Sequence, residues 1–446
     1  MTVERRGVAL CSASEWELNM SVRDVVQAAA GVGVAAEYQV AGITVPYTEP
    51  ILSTFGDSVA RIGDYVYALS YKNATATNRE IGILVKLSSD LSTIEGSLVL
   101  GNAGSNSAQR ASIRVSAFDK VNEKVYIAGS WGELSNQAFA KIDLATMAWE
   151  WNGSLNNNYP VQPGSMTVDS NGDLYLLCGS NSNRLVKINK STGAQIWCKL
   201  LNTSYGGAMT SDGTDIYLGS QAGNTTAITK ISSSGTLIYT RNVNPNGGAS
   251  CFELQYYDGN LYAAFENVRS SSGVYTTEIV KFDSTGYYQA ARILGATDGS
   301  NRPYQPSLAV DDSGVYISVS SSNYATWHVA KTNSLSDFSF EWQGTLYNPQ
   351  GTSSNPGYSL MDIDDDHVYI NQARRIASST VAGMAVVKVP KDGSLIGAGF
   401  LDSTGGSFFS ITTSSITLSD GGTAVDNYTP QTIPQNTVTL TLTTYI

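Results

Sequence analysis

With 446 residues, 42% of them hydrophobic, the chain can build a sizeable core but exceeds the usual single-core limit unless that core is divided around a ring or along an array. Only 15% of residues are charged, the formal net charge is −11 and the basic residues are dispersed, which excludes the clustered Lys and Arg that grip a nucleic-acid backbone. No apolar run approaches the roughly twenty residues of a spanning helix, and 42 Gly, 25 Tyr and abundant Ser, Thr and Asn favour strands and turns.

The first stretch, "MTVERRGVALCSASEWELNM", begins with basic residues, but Glu15 and Glu17 interrupt what would be the apolar centre of a signal peptide, so no export signal is expected. "MSVRDVVQAAAG" predicts one short helix. Ser21 is placed as its N-cap with Asp24 three residues on, Met20 and Val25 as a hydrophobic staple, and Gly31 as its stop. "AEYQVAGITVPYTEPIL" then reads as an extended lead-in, kept off helical geometry by Pro46 and Pro50. These elements make residues 1–56 an N-terminal segment.

Beyond it the chain repeats. A β-branched residue or leucine precedes Tyr67, Tyr126, Tyr175, Tyr217, Tyr262, Tyr316 and Tyr369, and each pair is followed by a lysine in a short strand-like run: Lys86, Lys141, Lys187, Lys230, Lys281, Lys331 and Lys388. The period of about 50 residues is that of propeller blades, and the β-branched, period-two character excludes a helical solenoid. Each unit divides into four apolar runs separated by Gly-, Asn- and Asp-containing turns; in one they are "SMTV", "LYLLCG", "RLVKIN" and "AQIWCKL". A lone four-stranded meander cannot bury both faces, whereas a ring of them buries each face against its neighbour. The expected fold is all-β: a seven-bladed β-propeller over 57–401, with four-stranded antiparallel blades at about 57–100, 113–155, 165–201, 207–243, 251–294, 307–346 and 359–401. Residues 402–446, alternating Ser and Thr with apolar residues, are expected to be a β-rich C-terminal extension. One of the two terminal segments is expected to pair with an edge of blade 1 or 7 and fasten the ring, or to pair with another subunit.

The unit in blade 3, carried by Asp169, Gly172, Tyr175, Lys187, Thr192, Gly193 and Trp197, resembles the repeat of quinoprotein-like (PQQ-type) propellers. The WD dipeptide of WD40 repeats and the double glycine of kelch repeats are missing from the pattern. The resemblance implies a fold more than an activity. In the enzymes of that family, tryptophans closing each blade dock successive blades. Here Trp149, Trp151, Trp197 and Trp342 serve only blades 2, 3 and 6, Tyr239 serves blade 4, and blades 1, 5 and 7 lack an aromatic there, so no cofactor is expected.

Candidate chemistry is thin. On the third strand of each blade, the lysines lie about 10 Å outward of the innermost one, too far to converge on the axis, and their stems are expected to pack along blade faces. The tyrosine rings are expected to fill the space between blades. Asp169, Asp212, Asp258 and Asp311 sit at turns whose backbone N–H groups a carboxylate accepts. The run Asp362, Asp364, Asp365, Asp366 and His367 suggests a calcium site, weighed against a solvated turn, and no metal ligand is assigned. His328 and His367 adjoin no nucleophile elbow. Arg61, Arg114, Glu253 and Asp362 are candidates for a polar channel. Cys11, Cys178, Cys198 and Cys251 fit neither zinc nor redox spacing, and Cys178 and Cys198, two strands apart, stand about 10 Å from one another, beyond disulfide reach.

The composition and the ending resemble those of bacteriophage tail and virion proteins. The expected role is therefore non-enzymatic: a structural or adhesive virion component acting in tail assembly or host-receptor binding, made in the host cytoplasm without a signal peptide. Its partners would be other tail proteins or further copies of itself. One alternative is a glycan-binding propeller using loop aromatics such as Tyr304, Tyr324 and Tyr347; another is a glycosidase or degenerate quinoprotein.

Overall fold

The computed structural model describes residues 39–44, 51–74, 79–100, 111–131, 136–155, 161–178, 183–201, 205–222, 225–243, 250–269, 275–296, 304–320, 326–332, 340–347, 361–375, 382–393, 409–412, 418–420 and 425–426. The helix expected near Ser21 lies outside them.

A first strand, β1 (Gln39–Thr44), precedes the repeats. Blade 1 is β2 (Ile51–Ile62), β3 (Tyr65–Ala74), β4 (Arg79–Ser88) and β5 (Ile94–Leu100). Blade 2 is β6 (Ala111–Asp119), β7 (Lys124–Trp131), β8 (Asn136–Asp143) and β9 (Ala148–Ser154). Blade 3 is β10 (Val161–Val168), β11 (Leu174–Cys178), β12 (Asn183–Ile188) and β13 (Gln195–Leu201). Blade 4 is β14 (Tyr205–Ser211), β15 (Ile216–Ala222), β16 (Thr225–Ile231) and β17 (Leu237–Val243). Blade 5 is β18 (Ser250–Tyr257), β19 (Asn260–Arg269), β20 (Tyr275–Asp283) and β21 (Tyr288–Ala296). Blade 6 is β22 (Tyr304–Asp311), β23 (Gly314–Ser320), β24 (Thr326–Thr332) and β25 (Phe340–Tyr347). Blade 7 contains β26 (Met361–Ile363), β27 (His367–Arg375) and β28 (Ala382–Pro390). Three short strands follow: β29 (Phe409–Thr412), β30 (Leu418–Asp420) and β31 (Val425–Asp426).

Blades 1 to 6 are antiparallel meanders, blade 7 is antiparallel with one strand from elsewhere in the chain, and the fold is a seven-bladed β-propeller. The second strand of each blade is covered on both faces, as in β11 where all of "LYLLC" is buried, whereas the fourth strands are only half covered, as in β13 and β17. That gradient is what a ring of stacked sheets produces: interior strands face two neighbours and outer strands face water. The core is correspondingly divided into seven apolar clusters, one at each junction between successive blades, including the junction of blade 7 with blade 1. Each cluster holds one of the seven repeated tyrosines, and these seven are the largest fully buried side chains described.

The fourth place in blade 7 is taken by β1, antiparallel to β28 from Gln39↔Lys388 to Thr44↔Gly383. The N-terminal segment is thus the terminal segment that pairs with an edge of blade 7 and fastens the ring, joining the first and last blades through backbone hydrogen bonds. Residues 395–400, expected as the fourth strand of blade 7, lie outside the described residues. The C-terminal extension adds fifth strands to three blades: β29 to blade 5, β30 to blade 4 and β31 to blade 3.

Candidate functional site

In a four-stranded meander, the connections between first and second strands and between third and fourth strands lie at the same end. All of the described turns of the ring lie at that end, and the connections at the opposite end lie outside the described residues. The turn end is built from one repeated cluster. In blade 3, Asp169 follows β10; its Oδ1 accepts the N–H groups of Asn171 and Asp173 at 3.0 Å, and its Oδ2 accepts the Tyr175 hydroxyl at 3.1 Å. Lys187 reaches the same Oδ2 at 3.1 Å and Asp173 at 3.3 Å. Blade 4 repeats it: Asp212 accepts Thr214 N–H at 2.9 Å and Asp215 N–H at 2.7 Å through Oδ1, while Tyr217 at 3.0 Å and Lys230 at 3.2 Å meet Oδ2. In blade 7, Asp364 accepts the N–H groups of Asp366 and His367 and the Tyr369 hydroxyl at 2.7 Å.

The ionisation states follow from these contacts. Burial opposes charge on Asp212, yet the Asp215 and Thr214 N–H groups, Tyr217 and Lys230 hold its carboxyl below the usual range. Burial likewise opposes charge on Lys187, and its contacts with Tyr175 and Asp169 overcome that and raise it. Tyr217 is pushed up by burial and by the adjacent Asp212 carboxylate. In blades 3 and 4 the lysine and the turn acid are therefore joined as an ion pair beside the tyrosine hydroxyl.

Elsewhere the same lysine finds other acids. Lys141 and Lys331 pair at 2.7 Å with Glu150 and Glu341, which stand at a bulge in the fourth strand of their blades. Lys388 turns outward to the Ser89 carbonyl of blade 1 at 3.1 Å. The ammonium groups stay near the tyrosine rings, 5.0 Å from Tyr175 and 4.8 Å from Tyr217, at a range where the ring quadrupole attracts a cation.

Successive blades are joined by an aromatic on the fourth strand of one and a left-handed turn residue of the next. Trp151 Nε1 donates to the Lys190 carbonyl at 2.8 Å, Trp197 Nε1 to Ser233 at 3.1 Å, Tyr239 to Ser284 at 3.3 Å and Trp342 Nε1 to Lys391 at 2.8 Å. Beneath each ring lies a glycine of that turn: Gly193, Gly235, Gly286 or Gly393. A Cβ on Gly193 would fall 2.9 Å from the Trp151 ring, and its φ of 68° is one that glycine adopts at least cost. Blade 1 has Gly96 where blades 2, 3, 4 and 6 carry the aromatic, opposite Lys86 in register, and there the left-handed residue of blade 2 is Met147, with φ 53° and its Cγ 3.7 Å from the position of a Cβ on Gly96. Small and large have changed places.

Of the channel candidates, the structure brings Arg61 and Asp362 together: the Arg61 backbone N–H donates to Asp362 Oδ2 at 2.6 Å, and Lys120 pairs with Oδ1 of the same carboxylate. Arg61 Nε also lies 3.6 Å from Asp364 Oδ2, so this junction links blades 1, 2 and 7. Two of the carboxylates suggested for calcium, Asp362 and Asp364, are thus engaged by cations, backbone N–H groups and a phenol, and among the described residues no three His, Cys, Asp or Glu side chains are grouped to hold a metal ion. Glu253 is not part of the junction. It lies on β18, crowded by protein, with Gln255 Nε2 donating to it at 3.1 Å, and burial raises its pKa to about 8. Arg114 falls at the bulge of β6, and its side chain lies outside the described residues. His367 stands 3.5 Å from Asp364, and burial lowers its pKa. His328 is buried on β24. Cys178, Cys198 and Cys251 are free and buried, and burial pushes the Cys178 thiol up.

No family profile and no curated protein matches the sequence. Solved structures do match the fold. A hydrazine synthase structure from Kuenenia stuttgartiensis is 10% identical with a TM-score of 0.50, covering 73% of this chain and 94% of that one. BamB from Moraxella catarrhalis is 11% identical with a TM-score of 0.42, covering 75% and 98% respectively. The propeller domain of the Trilobed protease from Pyrococcus furiosus is 8% identical with a TM-score of 0.47, covering 77% and 98%. At these identities the likeness is one of fold.

Sequence reasoning found the tyrosines, the lysines and the turn acids Asp169, Asp212 and Asp311, the last accepting the Ser313 N–H at 2.9 Å, while Asp258 stands in a left-handed turn with φ 44°; it missed Glu150 and Glu341 as lysine partners, and Met147 as the substitute for a missing tryptophan. The signal for Met147 lay in the alignment of the units: Gly96 occupies the place of Trp151 and Trp197, and Met147 that of Gly193 and Gly235.

Of the loop aromatics, Tyr324 lies outside the described residues. Tyr304 begins β22 and Tyr347 ends β25, which puts both positions at the end of blade 6 opposite the turn end.

Proposed function

We propose that the protein is a non-enzymatic structural and adhesive component of a virion, a tail-associated propeller acting in assembly or host-receptor binding. The observation that carries this reading is the engagement of the repeated polar side chains with each other and with the next blade. Tyrosine, lysine, turn acid and tryptophan form a rigid ring, and a tail laid across its outer edges suits a module that is assembled rather than one that turns over substrate. The low charge, the Ser, Thr, Asn and Gly content and the alternating C-terminal sequence support the virion setting, with synthesis in the host cytoplasm. The Trp–Gly docking seen between blades 2 and 3 and between 3 and 4 supports kinship of the scaffold with quinoprotein-type propellers. The test is immunogold labelling of purified phage particles from the host that carries the gene: label at the tail supports the proposal, and unlabelled particles alongside a free cellular pool overturn it.

A second reading is favoured by one placement. Tyr304 and Tyr347 share one end of blade 6, where aromatic faces would stack on sugar rings. Binding on a glycan array that is lost in Tyr304→Ala would favour glycan recognition as the adhesive activity.

A further inference from the structure

The polar cluster of the turn end changes in one blade. The repeated tyrosine and lysine stand opposite one another in register, Tyr175↔Lys187 in blade 3, Tyr217↔Lys230 in blade 4 and Tyr262↔Lys281 in blade 5. In blades 3 and 4 the carboxylate that meets both is the first residue beyond the innermost strand: Asp169 follows Val168, the partner of Leu174, and Asp212 follows Ser211, the partner of Ile216. In blade 5 the partner of Leu261 is Tyr256, and the residue that follows is Tyr257, whose hydroxyl donates across the junction to Asp312 of blade 6. The lysines of blades 2 and 6 meet a second kind of acid, Glu150 and Glu341 at the bulge of the fourth strand. At that bulge blade 5 carries Gln289, whose Nε2 donates to Asp283 Oδ2 at 3.0 Å. Blade 1 also lacks the turn acid, with Ile62 in its place, yet it keeps Glu95 at the bulge; its Tyr67 hydroxyl donates to the Leu144 carbonyl at 3.3 Å, and Lys86 Nζ lies 3.8 Å from the Tyr65 ring centroid. Among the described residues, blade 5 alone has an acid at neither position.

Two donors therefore stand together in blade 5 with no described side chain to accept from them. Tyr262 is fully buried, and its hydroxyl has no partner among the described residues. Burial, helped by Asp258 and Tyr257, pushes its phenol up to about 12, so the hydroxyl keeps its proton and donates. Lys281 is half-buried, and its ammonium lies 5.7 Å from the centre of the Tyr262 ring. The same distance separates Lys141 from Tyr126 and Lys331 from Tyr316, whose ammonium groups do meet an acid. A water accepts from the phenol but leaves the ammonium charge unbalanced, and an uncompensated charge among buried groups is costly. An ion of charge −1 answers both needs at once, as Oδ2 of Asp169 and of Asp212 does in its own blade. A divalent oxyanion brings one charge more than Lys281 balances.

We propose that blade 5 binds a small monovalent anion of halide size between the Tyr262 hydroxyl and the Lys281 ammonium, in the place that the aspartate oxygen takes in blades 3 and 4. The ion completes the polar cluster of that blade and links the stability of the ring to the anion in solution.

Bromide is the probe, because its anomalous scattering distinguishes it from water. Crystals of the full-length protein grown in sodium bromide should show an anomalous peak within hydrogen-bonding reach of Tyr262 Oη and Lys281 Nζ. The peak should be missing in Lys281→Met, which keeps an apolar stem and removes the charge. In solution, replacing gluconate by bromide at a constant salt concentration of about 0.5 M should raise the thermal midpoint of the wild type by at least about two degrees relative to Lys281→Met and to Tyr262→Phe. Tyr262→Phe secures the comparison, since in gluconate it loses no hydrogen bond and is expected to fold as well as the wild type. Bromide crystals with no anomalous peak at the site overturn the proposal and leave water as the partner of the phenol. A peak accompanied by the same midpoint shift in all three proteins also overturns it, and marks an adventitious ion only.

Discussion

The seven repeated tyrosines share one ring environment and differ in what their hydroxyls meet. Tyr67 and Tyr126 donate across the junction to the Leu144 and Gly172 carbonyls of the following blade, whereas Tyr175, Tyr217 and Tyr369 donate to the aspartate of their own turn. Blade 5 has a tight Asp258–Gly259 turn in that place, and the buried Tyr262 hydroxyl has no partner among the described residues. Removing the hydroxyl should therefore have opposite consequences. Tyr217→Phe takes a hydrogen bond from the Asp212 carboxylate and is expected to destabilise by about 1–3 kcal/mol, while Tyr262→Phe relieves an unsatisfied buried group and is expected to be neutral or stabilising; urea denaturation of the two variants distinguishes them. Glu253 gives a second expectation. In the folded chain its carboxyl keeps its proton up to about pH 8, against an ordinary value of 4.5. Between these values the unfolded chain has released a proton that the folded chain still holds, so this group's contribution to stability is present below about pH 4.5 and is lost as pH rises to about 8. Glu253→Gln, which imitates the protonated form, should remove that slope, so the variant gains on the wild type when urea midpoints at pH 5 and pH 8.5 are compared. The tyrosines and lysines were legible in the sequence because a fixed role at a fixed strand position leaves a periodic trace. Glu150 and Glu341 were not, because a bulge in the fourth strand decides which residue turns back to the lysine, and a bulge leaves no trace in spacing alone.

At the scale of the element, the unit of assembly is the contact between a fourth strand and the turn of the following blade. The ring of Trp342 stands 2.6 Å from where a Cβ on Gly393 would be, and the Trp151 and Gly193 pair is built in the same way. The sequence lacks an aromatic in blade 1, which suggests a weaker junction there. The structure shows a junction filled from the other side, by Met147 in a left-handed conformation facing Gly96. Leu91 does the same at the junction of blades 7 and 1, with φ 55° and its side chain buried beside Tyr369 and Val386. A non-glycine residue at positive φ costs about 1 kcal/mol, which the buried apolar side chain offsets. Such an exchange could not be read from single blades, since its two halves lie in different repeats and each looks like a loss. It can be tested by transplantation. Gly193→Met should be strongly destabilising, because the added side chain meets the Trp151 ring, and Trp151→Gly should be destabilising through the cavity it leaves, by about 3–5 kcal/mol. The double variant rebuilds the blade 1 arrangement, and its loss is expected to fall at least 1 kcal/mol short of the sum of the single losses in a double-mutant cycle.

For the whole molecule, the decisive feature is that blade 7 is made from both ends of the sequence. The seven-part repeat announced the ring, and the composition announced its class, but no local pattern says which distant strand will occupy the last place in the last sheet. Closure is selected by the geometry of the ring: the junction of blades 7 and 1 is an apolar cluster like the other six, including Val59 and Val66 from blade 1 and Tyr369 and Val386 from blade 7, and it remains closed only while those two blades are held together. β1 provides the hold, because its six residues pair along β28 while the chain continues directly into blade 1. The fifth strands of the tail act differently, adding to outer edges without joining the first blade to the last. Removal of the two ends should accordingly have unequal effects. A chain beginning at residue 45 is expected to lose several degrees of thermal stability and to be cut by protease within β28, the strand left at the edge, whereas a chain ending at Asp426 should melt within about two degrees of the full protein, shifts that correspond to a few kcal/mol and to less than 1 kcal/mol for a domain of this size. Scanning calorimetry with limited proteolysis measures both; equal losses from the two truncations would mean that the ring is held by its rim and not by its seam.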